Sequence, residues 1–104
     1  MICRIWSGRA GSHNAADAYE QVFRDEMLSE LGGLPGFRGG YLLRRDTDHR
    51  TEFVTLTLFD SLDDVRGFAG PDHERANVST AGRAALDDID ETARHYTVVT
   101  APHI

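Results

Sequence analysis

The chain has 104 residues, 40% of them apolar and 27% charged, which suits one globular domain over residues 1–104 and leaves too little sequence for a second core. Eleven basic side chains face 17 acidic ones, for a net charge of −6, and no basic cluster exceeds the pairs Arg44, Arg45 and His49, Arg50, so neither nucleic acid nor an anionic membrane is an expected partner. No apolar run nears the roughly 20 residues of a membrane span, the opening MICRIWSGR lacks an export signal, and the lone Cys3 excludes an internal disulfide and a thiolate-rich metal site; a cytoplasmic location is expected.

Ile2 to Gly8 alternates, with Cys3 and Ile5 to one side and Arg4 and Trp6 to the other, which predicts a first strand in which Cys3 is a small core residue. Asn14 or Ser12 then caps a helix whose apolar positions Tyr19, Val22, Phe23, Met27, Leu28 and Leu31 keep three-and-four spacing until Gly32 and Gly33 end it. After the turn Leu34-Pro35-Gly36, the segments Phe37 to Arg45 and Thr51 to Phe59 read as the two strands of a hairpin. Ser61-Leu62-Asp63-Asp64 resembles a capping box, ahead of a helix with Leu62, Val65 and Phe68 on one face. Within FAGPDHERAN, residues 68–77, Gly70 is expected as a left-handed helix end. Pro71 is expected to open a further helix reaching about Asp90, with Asp72 and Glu74 favouring its N-terminus. His95 to Thr100 is β-branched and aromatic, a last strand, after which Pro102 keeps the tail out of the sheet.

The order β-α-β-β-α-β predicts an α+β, ferredoxin-like fold, a four-stranded antiparallel sheet with its helices on one face. Val54, Leu56 and Leu58 suit the helix side, which puts Phe53, Thr55, Thr57 and Phe59 on the bare face together with Arg4 and Trp6. An apolar bare face marks an interface. A homodimer is therefore expected, in which two such sheets pack together and enclose a cavity with a few polar groups.

The βαββαβ order, the Trp6-x-Gly8 start, the Leu34-Pro35-Gly36-Phe37 turn, Phe59-Asp60-Ser61-Leu62 leading to Phe68-Ala69-Gly70, and the closing His95-Tyr96-Thr97-Val98 together resemble the antibiotic biosynthesis monooxygenase family. The resemblance covers essentially the whole chain and implies a dimeric α+β barrel. It also implies cofactor-independent oxygenation of a small hydrophobic or aromatic molecule, since members of that family oxidise polycyclic aromatic intermediates with molecular oxygen and neither metal nor flavin. Relatives that degrade haem carry an Asn on the first strand, a Trp on the second helix and a His about ten residues later. Those places hold Trp6 and Ser7, Phe68 and Val78 here, and all three depart from the haem pattern. The oxygenases combine an Asn, a Trp and a Tyr around this helix with an Arg, and Asp64, Phe68 and Glu74 stand near those spacings instead.

Among the residues themselves, His95 is a candidate general base for a phenol or activated methylene, or else a histidine satisfied by backbone or by Trp6. His73, beside Asp72, is a second candidate base at a pocket mouth, or part of a helix restart. Arg4 offers two parallel N–H donors to a carboxylate or phenolate, and Trp6, Phe59 and Phe68 offer aromatic faces that hold a ring or simply fill core and interface. The expected site is one pocket per subunit between sheet and helices. No His-x-His or His-x-x-x-His pair suggests a metal, no Gly-rich strand-to-helix loop suggests a nucleotide, and no serine sits in a nucleophile elbow. No cofactor is therefore expected. A dimer that binds a small molecule without turning it over is the alternative function, and haem binding or degradation a more distant one.

Overall fold

The computed structural model describes residues 1–101, so the expectation for Pro102 lies outside the described residues. It is an α+β fold on one antiparallel sheet, compatible with the ferredoxin-like arrangement. Strand β1 (Ile2–Ala10) is central. It pairs on one side with β3 (Thr51–Phe59), which carries β2 (Phe37–Asp46) beyond it as the edge. On its other side β1 meets two short strands in turn, β4 (Asp88–Ile89) opposite Arg9 and Gly8, then β5 (Arg94–Thr97) opposite Ile5 to Ile2. The last strand of the expected fold is thus a single edge interrupted by a bulge over residues 90–93. It is shorter than His95 to Thr100 because β1 starts at Ile2, and beyond Thr97 one bond follows, from Val98 N–H to Met1 O at 3.0 Å.

The long helix forms as the spacing predicts, but in three continuous pieces, α1 (His13–Val22), a π-helical turn (Phe23–Met27) and α2 (Leu28–Gly32). Ser12 rather than Asn14 is the cap, its hydroxyl accepting from the Ala15 amide at 3.1 Å. In the π turn the Leu28 amide reaches back five residues to the Phe23 carbonyl, a local widening that helices commonly show at functional sites. Helix α3 (Leu62–Ala69) starts at the Ser61 cap as expected.

Beyond α3 the structure departs from expectation. Gly70 ends the helix with φ +94° and ψ −178°, an extended mirror-image conformation open essentially to glycine alone and not the left-handed helical one. Pro71 starts no helix, and the next one is the short α4 (Thr80–Ala85). The reason lies in the backbone's other bonds. Ala76 N–H donates to Glu91 O at 2.9 Å, Ala93 N–H donates to Glu74 O at 2.7 Å, and the carbonyls of His73 and Arg75 accept from Arg4, so this stretch lies along the bulge and the sheet. Asp72 accordingly braces a turn, accepting from the Glu74 amide at 3.2 Å, and Asp72 and Glu74 favour no helix terminus.

The two sheet faces are the reverse of the expectation. Arg4, Trp6, Phe53, Thr55, Thr57 and Phe59 face the helices, while Val54, Leu56 and Leu58 lie on the open face with Cys3 and Ile5. A strand reading FVTLTLF is apolar on both sides, so its period of two defines two faces without saying which one is covered. What decides is reach. Phe53 packs with Trp6, Ala10, Ala16, Tyr19 and Leu86 under one end of the helical layer, and Phe59 packs with Leu31, Val65 and Phe68 under the other. Large rings span the gap between sheet and helices that Val and Leu leave unfilled. The two threonines lie between these clusters, where the layer is not filled.

Candidate functional site

That unfilled middle is a cavity between sheet and helices. Its floor is Arg4, Trp6, Thr55 and Thr57, its roof comes from Tyr19 and the π turn with Phe23 and Met27, and Phe68, Asn77 and Val78 close its sides. Its volume is about 30 Å3, room for one or two waters. Among the described residues no Asp, Glu or His lines it. Tyr19 contributes a neutral phenol, since burial raises its pKa to about 12.

Arg4 is the defining group. It is 2% exposed, and among the described residues no carboxylate pairs with it. Its Nη1 donates to His73 O at 2.5 Å and to His95 Nε2 at 3.0 Å, and Nη2 donates to Arg75 O at 2.8 Å. The guanidinium also stands over the Phe68 ring, 5.6 Å from its centroid. Burial lowers its pKa to about 10, which still leaves it charged at neutral pH.

His95 Nε2 must accept here, because a guanidinium only donates, so the proton of its neutral ring sits on Nδ1. Burial first, then the charges of Arg4 and His73, lower the pKa of His95 to about 4. His73 stands edge-on to it with ring centroids 5.1 Å apart. Both histidines border a shallow outer groove with Leu62, Glu74, Arg94 and Tyr96, on the far side of Arg4 from the cavity. The structure therefore brings His95 and His73 together with Arg4 but not with the space that Arg4 lines.

Trp6 is 6% exposed and lines the cavity. Its Nε1 donates to Asp90 O at 2.7 Å, Asp90 N–H returns a bond to Ser7 O at 3.0 Å, and the Asp90 carboxylate holds Arg9 at 2.9 Å. The bulge in the edge strand thus fixes the indole. Gly8 makes room for it, since a Cβ there would lie 2.7 Å from the ring. Phe68 lines the cavity as expected, whereas Phe59 is fully enclosed behind it, with ring centroids 6.2 Å apart, and touches only core.

Sequence reasoning missed Tyr19, Thr55, Thr57 and Asn77 as wall residues. Tyr19 was legible as a position on the helix's apolar face, and the threonines as inward neighbours of Arg4 and Trp6 once the covered face is known. Asn77 carries no sequence signal; its Nδ2 ties to Phe68 O at 2.9 Å, joining the irregular segment to the end of α3. Among the described residues no group of three or more His, Cys, Asp or Glu is placed to hold a metal ion. No protein-family model matches the chain and no curated protein matches it.

Proposed function

We propose that the chain is a homodimeric protein of the antibiotic biosynthesis monooxygenase type, with one cavity per subunit that takes a small hydrophobic or aromatic molecule and oxygenates it without a cofactor. The observation that carries this reading is the cavity itself, walled by Trp6, Phe68 and aliphatic side chains and floored by one buried arginine that no carboxylate among the described residues pairs with. A ring held there with an acidic C–H or O–H next to Arg4 loses its proton more readily, because a fixed cation stabilises the anion that forms. Such an anion is electron-rich enough to react with molecular oxygen directly. For an activated methylene the balance is that one oxygen atom becomes the new carbonyl, and the other leaves as water with the two methylene hydrogens. Tyr19 and Asn77 supply neutral hydrogen-bonding groups around the ring, so the cavity combines an Asn, a Trp, a Tyr and an Arg, the residue types of the oxygenases, from other positions in the chain. In this reading His95 is a positioning residue that acts through Arg4.

The open sheet face supports the dimer. Tyr41 (62% exposed), Leu43 (45%) and Tyr96 (50%) stand on it beside Val54, Leu56, Leu58, Ile5 and Cys3, an apolar surface of the kind that a second layer covers.

A second reading is binding without turnover, and it is favoured by the absence of any carboxylate or imidazole among the described residues that line the cavity. Oxygen uptake separates the two. With anthrone, a polycyclic aromatic that carries an acidic methylene and enters only as the Met27 roof yields, the protein is expected to accelerate oxygen consumption with no added metal or flavin. Saturable binding with oxygen uptake at the uncatalysed rate would instead establish the binding function and remove the enzyme.

A further inference from the structure

A guanidinium has five N–H groups, and Arg4 commits three of them, two on Nη1 and one on Nη2. The Nε–H and the second Nη2–H make no hydrogen bond among the described residues. Among the described residues every fully enclosed side-chain polar atom has a partner, so Nε, which has none, is not fully enclosed, and the space Arg4 lines is the cavity. The pairing of Nε with Nη2 is the edge an arginine turns to a carboxylate. Arg38 of the same chain does so, with Nε and Nη2 at 2.7 and 2.8 Å from the two oxygens of Asp60.

Among the described residues no such carboxylate is supplied to Arg4. In a chain with 17 acidic residues, none lines the cavity. A buried cation is costly unless something compensates it, and two backbone carbonyls, a neutral imidazole and the Phe68 ring do so without a counter-charge.

We propose that the ligand of this cavity is an apolar carboxylic acid bound as its anion, its two oxygens on Nε and Nη2 of Arg4 and its hydrocarbon or ring against Trp6 and Phe68. This rests on the cavity being a ligand site and adds the class of molecule that enters it. The residues FAGPDHERAN acquire a purpose in the same step, because His73 O and Arg75 O anchor Nη1 and Nη2 and so fix the orientation of the guanidinium. The head group fits the present space. A ring needs the roof to yield, and Met27, on an unbranched and adaptable side chain in the π turn, is the wall residue that gives most readily.

Trp6 is the only tryptophan, so its fluorescence reports the cavity directly. The test compares benzoate with benzamide, which share shape and differ in charge, in titrations of the full chain. Benzoate is expected to bind roughly ten- to a hundredfold more tightly than benzamide, and Arg4→Lys, which keeps the charge but loses the fork, is expected to narrow that gap. Equal affinities for the two compounds would overturn the carboxylate assignment while leaving the cavity as a ligand site. No saturable quenching by either would overturn both.

Discussion

Arg4 is the residue on which the site turns, and its surroundings make His95 responsible for part of the protein's pH dependence. His95 accepts from Arg4 only while neutral, and its pKa lies at about 4 in the folded chain against 6.5 when unperturbed. Between those values the unfolded chain takes up a proton that the folded chain refuses, so the contribution of His95 to stability is fully present above pH 6.5 and is lost as the pH falls toward 4. His95→Gln, which keeps an acceptor but does not titrate, is expected to show a smaller fall in Tm than the natural chain between pH 7 and pH 4, measured by thermal denaturation. An unchanged pH profile would mean that the imidazole is not held neutral against Arg4. At this scale the sequence was informative about Arg4, Trp6 and Phe68, since period-two alternation on β1 sends the first two to one side together and the helix spacing places the third. It was silent on the order of the groups. That His95 stands behind Arg4, not beside the ligand space, depends on the strand register Arg4 opposite His95, which no local pattern encodes.

At the scale of elements, the segment between α3 and α4 shows why a helix stop was legible and a restart was not. Gly70 needs a positive φ, and glycine before proline announces as much. The path of the chain after Pro71 is set by partners distant in sequence, the bulge at residues 90–93 and Arg4 on β1, whose hydrogen bonds compete with those of a helix and win. Gly70→Ala is expected to cost about 1–3 kcal/mol, because an alanine has no comfortable place at φ +94°. It should also weaken benzoate binding, as the carbonyls that anchor Arg4 lie only a few residues further along; chemical denaturation and the Trp6 titration measure the two effects. A stable variant with unaltered binding would show that the segment does not position the guanidinium. The π turn was equally hidden, since Phe23 and Met27 satisfy α-helical spacing well enough that nothing in the sequence marks the extra residue. The edge strand was partly legible, its second half through HYTVVT and its first half, only Asp88–Ile89, not at all.

For the whole molecule, alternation along β3 revealed two apolar faces and left open which one the helices cover. The covered face holds the rings and the cavity, and the open one holds Tyr41, Leu43, Val54, Leu56 and Tyr96. The expected apolar surface therefore exists, built from the other half of each strand. On the proposed reading it meets its own copy across a two-fold axis, with the two cavities on the outer sides of the paired sheets. Leu43→Asp, placing a charge in that surface far from Arg4, is expected to separate the subunits while benzoate still quenches Trp6. The most direct measurement is a native mass spectrum of the freshly purified protein in the presence of benzoate. The expected species has twice the 11.5 kDa mass of the chain and carries up to two added benzoates. A bare 11.5 kDa monomer would contradict both the paired sheets and the ligand cavity.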